Sequence, residues 1–304
     1  MRLPDTIQRL STLRDSLRFI FAHPLGSRSK AATFARWARW QVGSRLLPGP
    51  AVVPFVNDSV LVAEPGMGGA TGNVYVGIHE FADMAFLLHH ARKGELFVDI
   101  GANVGSYTVL AGAALGCRVI SVEPVRATYD SLVRNIRVNG IAGLVDARNI
   151  GVGKAPGTLR FTADLDCVNH VLAEGETADA IEVPVLTIDD LIRGDVASVL
   201  KIDVEGFETP ALQGATNALR DGRIRALIME TNGSGNRYGF DEDALVAQLI
   251  AFGYEPCAYD PLTRSLTHLP ERGHVGNLIM VRDFADASRR VKDASAFRAV
   301  GISV

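Results

Sequence analysis

The chain has 304 residues, of which 47% are hydrophobic and 21% are charged, and its net charge is −3. These values are typical of a soluble globular protein and predict one large domain with an appendage. Residues 1–45 hold nine Lys and Arg but two Asp, a net charge of +7, so the remainder carries −10. Because the main body shows no basic face, the charge argues against a nucleic-acid partner.

The three cysteines are scattered along the chain at Cys117, Cys167 and Cys257. They form no C-x-x-C pair, so they predict neither a zinc site nor a disulfide framework, and they favour a reducing, cytoplasmic location. The longest apolar stretches are too short to span a membrane. Charged residues interrupt the N-terminus, which argues against a signal peptide.

Two amphipathic helices are predicted at the N-terminus, over residues 5–22 and 29–46. Arginines are interleaved with apolar residues in the second helix, and such a segment can lie on a membrane surface. The alternatives are that the two helices cap the main domain or form a homodimer contact. Pro48-Gly-Pro50 predicts the boundary between a basic helical extension, residues 1–50, and a main domain, residues 51–304.

The main domain begins with a predicted hairpin. Residues 51–63 and 73–78 alternate like strands, and the glycine-rich stretch 65–72 joins them as a long loop that can form part of a lid. Residues 79–92 are predicted to form a helix that leads into the first core strand.

Strands and helices alternate from residue 96 onward. The sequence predicts strands at 96–100, 118–123, 144–150, 158–162, 181–187, 198–203, 225–230, 254–259 and 276–282, and helices at 105–115, 126–138, 207–220, 241–252 and 283–298. This alternation indicates a mostly parallel sheet that is covered on both faces. The last two strands have no clear helix between them, which predicts an antiparallel pair at the edge of the sheet.

The first core strand runs into a glycine turn, Phe97-Val-Asp99-Ile-Gly101-Ala-Asn103-Val-Gly105. A strand, a glycine turn and a helix N-terminus bring backbone N–H groups close to a ligand, and Asp99 adds a carboxylate at the strand end. A dinucleotide fold requires G-x-G-x-x-G, so that the backbone can approach a pyrophosphate. Asn103 replaces the second glycine here, so no pyrophosphate cradle is predicted.

The second core strand ends in Glu123-Pro124, about 18 residues after Gly105. In dinucleotide folds, an acid at this position binds the ribose hydroxyls. A nucleoside site without a pyrophosphate cradle indicates S-adenosyl-L-methionine as the cofactor. The alternative is a nicotinamide-dependent oxidoreductase, which the asparagine in the turn disfavours.

Every core strand delivers a polar residue to one edge of the predicted sheet, and ligands of open α/β sheets bind at that edge. The residues are Asp99, Glu123, Asn149, the run Lys201-Ile-Asp203-Val-Glu205-Gly-Phe-Glu208, and Glu230. A helix cap explains one such residue but not five in succession.

Asp203, Glu205 and Glu208 place three acids within six residues. Close carboxylates raise one another's pKa values, which suits acid–base chemistry, whereas Glu208 is also typical of a helix start. The same oxygens suit Mg²⁺ or Ca²⁺, but we predict no metal. His170 lies in the insertion before the fourth core strand, where a group that titrates near neutral pH is a candidate base.

These residues resemble those of the FkbM family of S-adenosylmethionine-dependent methyltransferases. The resemblance rests on the glycine turn, on Ser121-Val-Glu123-Pro124, on Leu200-Lys-Ile-Asp203-Val-Glu205-Gly-Phe-Glu208 and on Glu230. It covers roughly residues 75–282. It implies a Rossmann-like class I methyltransferase fold and O-methylation of a small-molecule acceptor, a sugar, glycan or polyketide-type compound.

The resemblance also implies roles for individual residues. Four residues would line the methionine end of the cofactor: Asp99, Gly101, Asn103 and Gly105. Glu123 would hold the ribose hydroxyls, Pro124 would flank the adenine, and Asn149 lies near the expected adenine contact.

For catalysis we predict that His170 or Asp203 removes the acceptor proton, while Glu205 and Glu230 shape the acceptor pocket. A non-catalytic methyltransferase-like adaptor, recruited to a membrane or a partner through its basic N-terminus, is the remaining alternative.

Overall fold

The computed structural model describes residues 3–162, 169–173, 175–270 and 276–304, with side chains from residue 13 onward. Cys167 and part of the predicted insertion over residues 163–178 lie outside these ranges. Within the described ranges, no helix is both long and apolar enough to cross a membrane.

Twelve α-helices are found in the described ranges. They are α1 (Leu3–Ala22), α2 (Pro24–Arg28), α3 (Lys30–Leu46), α4 (Gly68–Val76), α5 (Phe81–His90), α6 (Ser106–Val109), α7 (Arg126–Val138), α8 (Ile188–Ile192), α9 (Glu208–Gln213), α10 (Thr216–Arg220), α11 (Glu242–Ala251) and α12 (Phe284–Lys292). A π-helical segment, Leu110–Leu115, continues α6, and Gly116 ends it in a left-handed conformation.

The strands are numbered in chain order. They are β1 (Ala51–Pro54), β2 (Val60–Ala63), β3 (Leu96–Ile100), β4 (Arg118–Val122), β5 (Val145–Arg148), β6 (Gly151–Val152), β7 (Gly157–Thr162), β8 (Ala180–Leu186), β9 (Ala197–Ile202), β10 (Ala226–Thr231), β11 (Glu255–Asp260), β12 (Ser265–His268), β13 (Gly276–Val281), β14 (Arg298–Ala299) and β15 (Ile302–Ser303).

Eight strands form the central sheet, in the order β12–β11–β13–β10–β9–β3–β4–β5. The five from β10 to β5 are parallel. Strand β13 pairs with β10 on one side and with β11 on the other, antiparallel in both cases, and β12 forms the outer edge. The predictions of a Rossmann-like, mostly parallel sheet and of an antiparallel final pair are confirmed. Strands β6, β8 and β7 form a separate small sheet.

Alternate residues of the central strands pack on opposite faces of the sheet. Phe97 and Val199 contribute to the hydrophobic cluster that contains the α5 side chains. Val98 and Leu200 contribute to the cluster that contains residues of α8 to α11. A strand buried on both faces is apolar at most positions, which explains the hydrophobic runs in the sequence. Asp99 and Lys201 are buried polar exceptions within β3 and β9.

The predicted hairpin of residues 51–63 with 73–78 is wrong. Residues 51–63 contain a complete hairpin of their own, in which Ala51 pairs with Ala63, and residues 68–76 form α4. Glycine is a poor helix former, but tertiary packing overrides propensity here. The α4 residues Tyr75 and Val76 are buried against side chains of α1 and α3.

The predicted helix over residues 207–220 is interrupted at Gly214. A Cβ atom there would lie 2.2 Å from the Gly153 carbonyl oxygen, so the close approach of this loop requires glycine and separates α9 from α10. The terminal helix ends at Lys292 rather than at residue 298. The segment 144–150 also stops early, at Arg148, before β6 joins the small sheet.

Candidate functional site

Close contacts and positive φ angles require glycine at two positions of the turn after β3. Gly101 has φ +74°, and a Cβ atom on it would lie 1.8 Å from the Asp203 carbonyl oxygen. Gly105 has φ +90°, and its Cβ atom would lie 2.5 Å from Leu132. Asn103 also has a positive φ, and its side-chain oxygen accepts a bond from the Val104 N–H, which stabilises the turn.

Glu123 connects the β4 end to this turn. Its carboxylate accepts hydrogen bonds from the Asn103 N–H and the Val125 N–H, both at 3.0 Å. Burial raises the pKa of Glu123 to about 7, against the opposing effect of these two bonds. A carboxylate has about four lone-pair sites, so each oxygen keeps the capacity to accept one more hydrogen bond.

One cavity unites most of the predicted cofactor residues with two of the predicted catalytic ones. Its lining comprises Gly101, Asn103, Glu123, Pro124, Thr128, Phe161, Asn169, Asp203, Val204 and Glu205. Thr128, Phe161 and Asn169 were not predicted as site residues. Phe161 is in β7, so the small sheet forms part of the cavity wall, a placement that sequence periodicity does not reveal.

Asn149 lies behind the cavity wall rather than in it. Its amide donates hydrogen bonds to the Glu123 and Pro124 carbonyl oxygens, at 2.9 and 2.8 Å. It therefore positions the loop that carries Glu123.

Asp99 is buried beneath the glycine turn. One of its oxygens accepts a 2.6 Å hydrogen bond from the Thr108 hydroxyl. The other has no hydrogen-bond partner among the described residues. Burial raises the pKa of Asp99 to about 6. Among the described residues, this second oxygen is an acceptor that no other group fills.

Lys201 and Asp203 form an ion pair at the β9 end, with Nζ 2.8 Å from Oδ2. Burial alone would lower the Lys201 pKa, but Asp203, with further carboxylates, offsets burial and raises it. The ammonium also lies 4.9 Å from the Tyr107 ring centroid, a cation–π distance. Lys201 therefore stays charged and is fixed beside the Asp203 carboxylate.

Three carboxylates converge at this edge of the sheet: Asp203, Glu205 and Glu230. Each places an oxygen within 4.8 Å of the others, which is close enough to hold a single cation. Burial, and then the charge on Asp203, raises the pKa of Glu230 to about 8. One Glu230 oxygen has no hydrogen-bond partner among the described residues. The cluster can therefore gain or lose a proton near neutral pH.

The Glu208 side chain supports the loop after β9 and does not line the cavity. Its Oε1 accepts hydrogen bonds from the Val204 and Gly206 N–H groups, at 3.0 and 3.3 Å, and it is the first residue of α9. Both contacts hold the turn that carries Glu205, whose φ is +55°.

His170 is buried next to the small sheet. Its Nε2 lies 2.9 Å from Glu176 Oε1, and its backbone N–H donates to the Thr162 hydroxyl. It does not line the cavity that contains Glu123 and Asp203. The geometry thus places Asp203, rather than His170, at the common cavity.

A second polar layer, absent from the sequence predictions, lies behind Lys201. The Tyr107 hydroxyl donates to Glu80 at 2.6 Å, and the Asn277 amide donates to Glu80 and Asp83 at 3.1 and 3.0 Å. Burial, then Glu80, raises the pKa of Asp83 to about 6. Asn277 is opposite Glu230 in the β10–β13 register, so this layer is continuous with the carboxylate cluster.

The raised pKa of Glu230 predicts a pH-dependent stability of the ligand-free protein. Its stabilising contribution is complete below the unfolded value of 4.5 and is lost as pH rises through about 8. Glu123 and Glu208, with pKa values of about 7, act in the same direction. Burial lowers the pKa of His23 and His89 to about 4 and that of His90 to about 3, so these three side chains are neutral throughout this window.

We therefore expect the melting temperature to fall by about 3 °C or more between about pH 6.5 and pH 8.5. The Glu230→Gln variant should show a clearly smaller fall, as measured by scanning fluorimetry. An equal fall in the variant and the wild type would remove Glu230 as the source.

Comparisons with known proteins match the part of the chain that carries these residues. The profile described as the methyltransferase FkbM domain matches residues 99–256. The hexuronic acid methyltransferase AglP of Haloferax volcanii is 28% identical over 147 residues, 47% of this chain and 59% of AglP. The chain thus spans less than two thirds of that relative.

Two further similarities were found. The 31-O-demethyl-FK506 methyltransferase FkbM of Streptomyces tacrolimicus is 28% identical over 220 residues, 60% of this chain and 82% of that protein. Among solved structures, Streptococcus pneumoniae Sp1610 in complex with S-adenosyl-L-methionine is 15% identical, with a TM-score of 0.39, over 67% of this chain and 72% of that one.

Proposed function

This chain belongs to the FkbM methyltransferase family, and from that premise we propose that it is an S-adenosyl-L-methionine-dependent O-methyltransferase acting on an uncharged, hydroxyl-rich small molecule. The observation that carries the proposal is the cavity shared by Glu123, the glycine turn and the Asp203–Glu205 turn. Membership of a methyltransferase family also argues against the nicotinamide-dependent oxidoreductase alternative.

The residues present fit an adenosyl cofactor. Glu123 offers two further acceptor sites to the ribose hydroxyls, and the Gly101–Gly105 turn and Asp99 would face the methionine end. The acidic surroundings suit a cationic sulfonium and an ammonium group. When bound, the cofactor supplies an electrophilic methyl group on its sulfur.

The protein's own contribution is to align the acceptor and accept its proton. Alignment supplies much of the rate in a displacement of this kind. Asp203, which forms an ion pair with Lys201 and lines the cavity, can accept a hydrogen bond from the acceptor hydroxyl. Burial and the neighbouring carboxylates raise the pKa of Glu230 to about 8, so the proton can pass to the cluster and be held there.

The negative charge of this cluster indicates which acceptors the site favours. Carboxylates accept hydrogen bonds from hydroxyl groups and repel anions. The name of AglP states a hexuronic acid as its acceptor, but Asp203, Glu205 and Glu230 disfavour a carboxylate-bearing acceptor here. We therefore expect a neutral sugar, a neutral glycan unit or a polyketide-type alcohol.

The test is methyl transfer from isotopically labelled S-adenosylmethionine to matched pairs of pyranosides and their uronates, followed by mass spectrometry. We expect labelled methyl ethers of the neutral members and little product from the uronates. A product from uronates alone would contradict the neutral acceptor but not the methyl transfer. Absence of cofactor binding together with absence of transfer would favour the non-catalytic adaptor.

A further inference from the structure

A groove with cationic and apolar walls lies between the N-terminal helices and the C-terminal hairpin. We name it the arginine groove and define it by Arg36, Arg39, Trp40, Leu47, Arg298 and Val300. Its volume is about 610 Å³. It shares no lining residue with the cavity that contains Glu123.

The charges of the groove are unbalanced. Three arginines line it, and no Asp or Glu is among its described lining residues. None of the three forms an ion pair with a described carboxylate side chain. Arg36 instead donates to the Tyr75 carbonyl and the Thr33 hydroxyl, which fixes its guanidinium in place. A site with fixed, unpaired cations is complementary to an anion.

The groove opens within an apolar surface. Ten large hydrophobic side chains are exposed in the described part of the chain, and five of them lie between residues 34 and 52: Phe34, Val42, Leu46, Leu47 and Val52. Leu47 is 82% exposed and lines the groove itself. The groove wall adds the apolar side chains of Trp40, Val53 and Phe55 to Leu47, so apolar and cationic side chains line the same groove.

We propose that the arginine groove binds the headgroup of an anionic phospholipid, so that this face of the protein lies on a membrane surface. Cations beside exposed leucine and valine side chains match the boundary between lipid phosphates and acyl chains. A symmetric contact between two copies would instead bring three unpaired arginines of each copy into one interface. The charges therefore favour the lipid over a second copy of the chain.

The test is sedimentation of the full-length protein with phosphatidylcholine vesicles, with and without phosphatidylglycerol. We expect binding only to the vesicles that contain phosphatidylglycerol, and weaker binding at high salt. The double variant Arg39→Glu with Arg298→Glu should weaken this binding by about thirtyfold or more. Leu47→Asp should weaken it as well.

The controls change charge and hydrophobicity equally at other sites. Arg160→Glu with Arg220→Glu matches the double variant, and Leu262→Asp, at a half-exposed position, matches Leu47→Asp. Both controls should bind as the wild type does. The groove variants lie outside the cavity of Glu123, and a wild-type circular dichroism spectrum with a cooperative thermal transition shows that they are folded.

Three results would overturn the proposal. The first is an absence of binding to phosphatidylglycerol vesicles by the wild type. The second is equal loss in the groove variants and their controls. The third is a different occupant of the groove in a protein that does not bind vesicles. Inorganic phosphate would then stabilise the protein, or sedimentation velocity would show self-association that Leu47→Asp abolishes. Failure of the methyltransferase assignment would leave all three readouts unaffected.

Discussion

Replacement of Glu123 by alanine will weaken binding of S-adenosylmethionine and S-adenosylhomocysteine by about 1–3 kcal/mol, a loss of about 5- to 150-fold. The side chain lines the cavity, and its carboxylate also satisfies the Asn103 and Val125 N–H groups. The variant therefore loses acceptors for the cofactor and leaves two backbone donors without their partner. Isothermal titration calorimetry measures the effect.

The control for this variant is Glu182→Ala, which removes an exposed glutamate from β8. We expect wild-type affinity from it. Glu123→Gln keeps the size of the side chain but replaces one acceptor oxygen with a donor, so its affinity should lie between those of the wild type and Glu123→Ala. Equal affinities in all four proteins would remove Glu123 from the cofactor site.

Asp203→Asn should produce the largest loss of turnover, about 10²- to 10⁴-fold, with cofactor affinity almost unchanged. The variant keeps the shape of the side chain but removes the carboxylate that we propose accepts the proton of the acceptor hydroxyl. It also leaves the buried Lys201 ammonium without its ion-pair partner, so loss of stability is expected too. Steady-state and single-turnover rates with a true acceptor measure the effect.

Glu230→Gln tests the catalytic role of the carboxylate cluster even if Asp203→Asn does not fold. It replaces the carboxyl whose pKa is raised to about 8, and Glu230 forms no ion pair with a described cationic side chain, so this variant should lower turnover without breaking one. His170→Ala tests the competing base, whose ring contacts Glu176 rather than the shared cavity. Full activity of both acid variants and a large loss in His170→Ala would transfer the base function to the histidine.

The sequence predicted the central part of the fold because those strands are buried on both faces. Such strands are continuous apolar runs, and the glycines after them are required by contacts, as at Gly101, where a Cβ atom would meet the Asp203 backbone. The same logic placed Asp99, Glu123, Asp203 and Glu230 at one edge of the sheet. The convergence of Glu123 and Asp203 on one cavity follows from that strand order.

The sequence could not predict features that depend on distant contacts. The helix α4 forms on a glycine-rich stretch because it packs between the N-terminal helices and the glycine turn, where Ser106 donates to the Gly69 carbonyl. The layer behind Lys201 joins Glu80 to Asn277, which are 197 residues apart in the chain. No local pattern connects residues at such a separation.

The central claim is that an adenosyl ligand lies against the glycine turn with its ribose on Glu123. A crystal structure of the protein grown with S-adenosylhomocysteine tests it most directly. We expect both ribose hydroxyls within hydrogen-bond distance of the Glu123 carboxylate and the amino-acid end of the ligand beside Gly101 and Asn103. A ligand bound elsewhere, or an empty cavity at saturating ligand, would contradict the assignment.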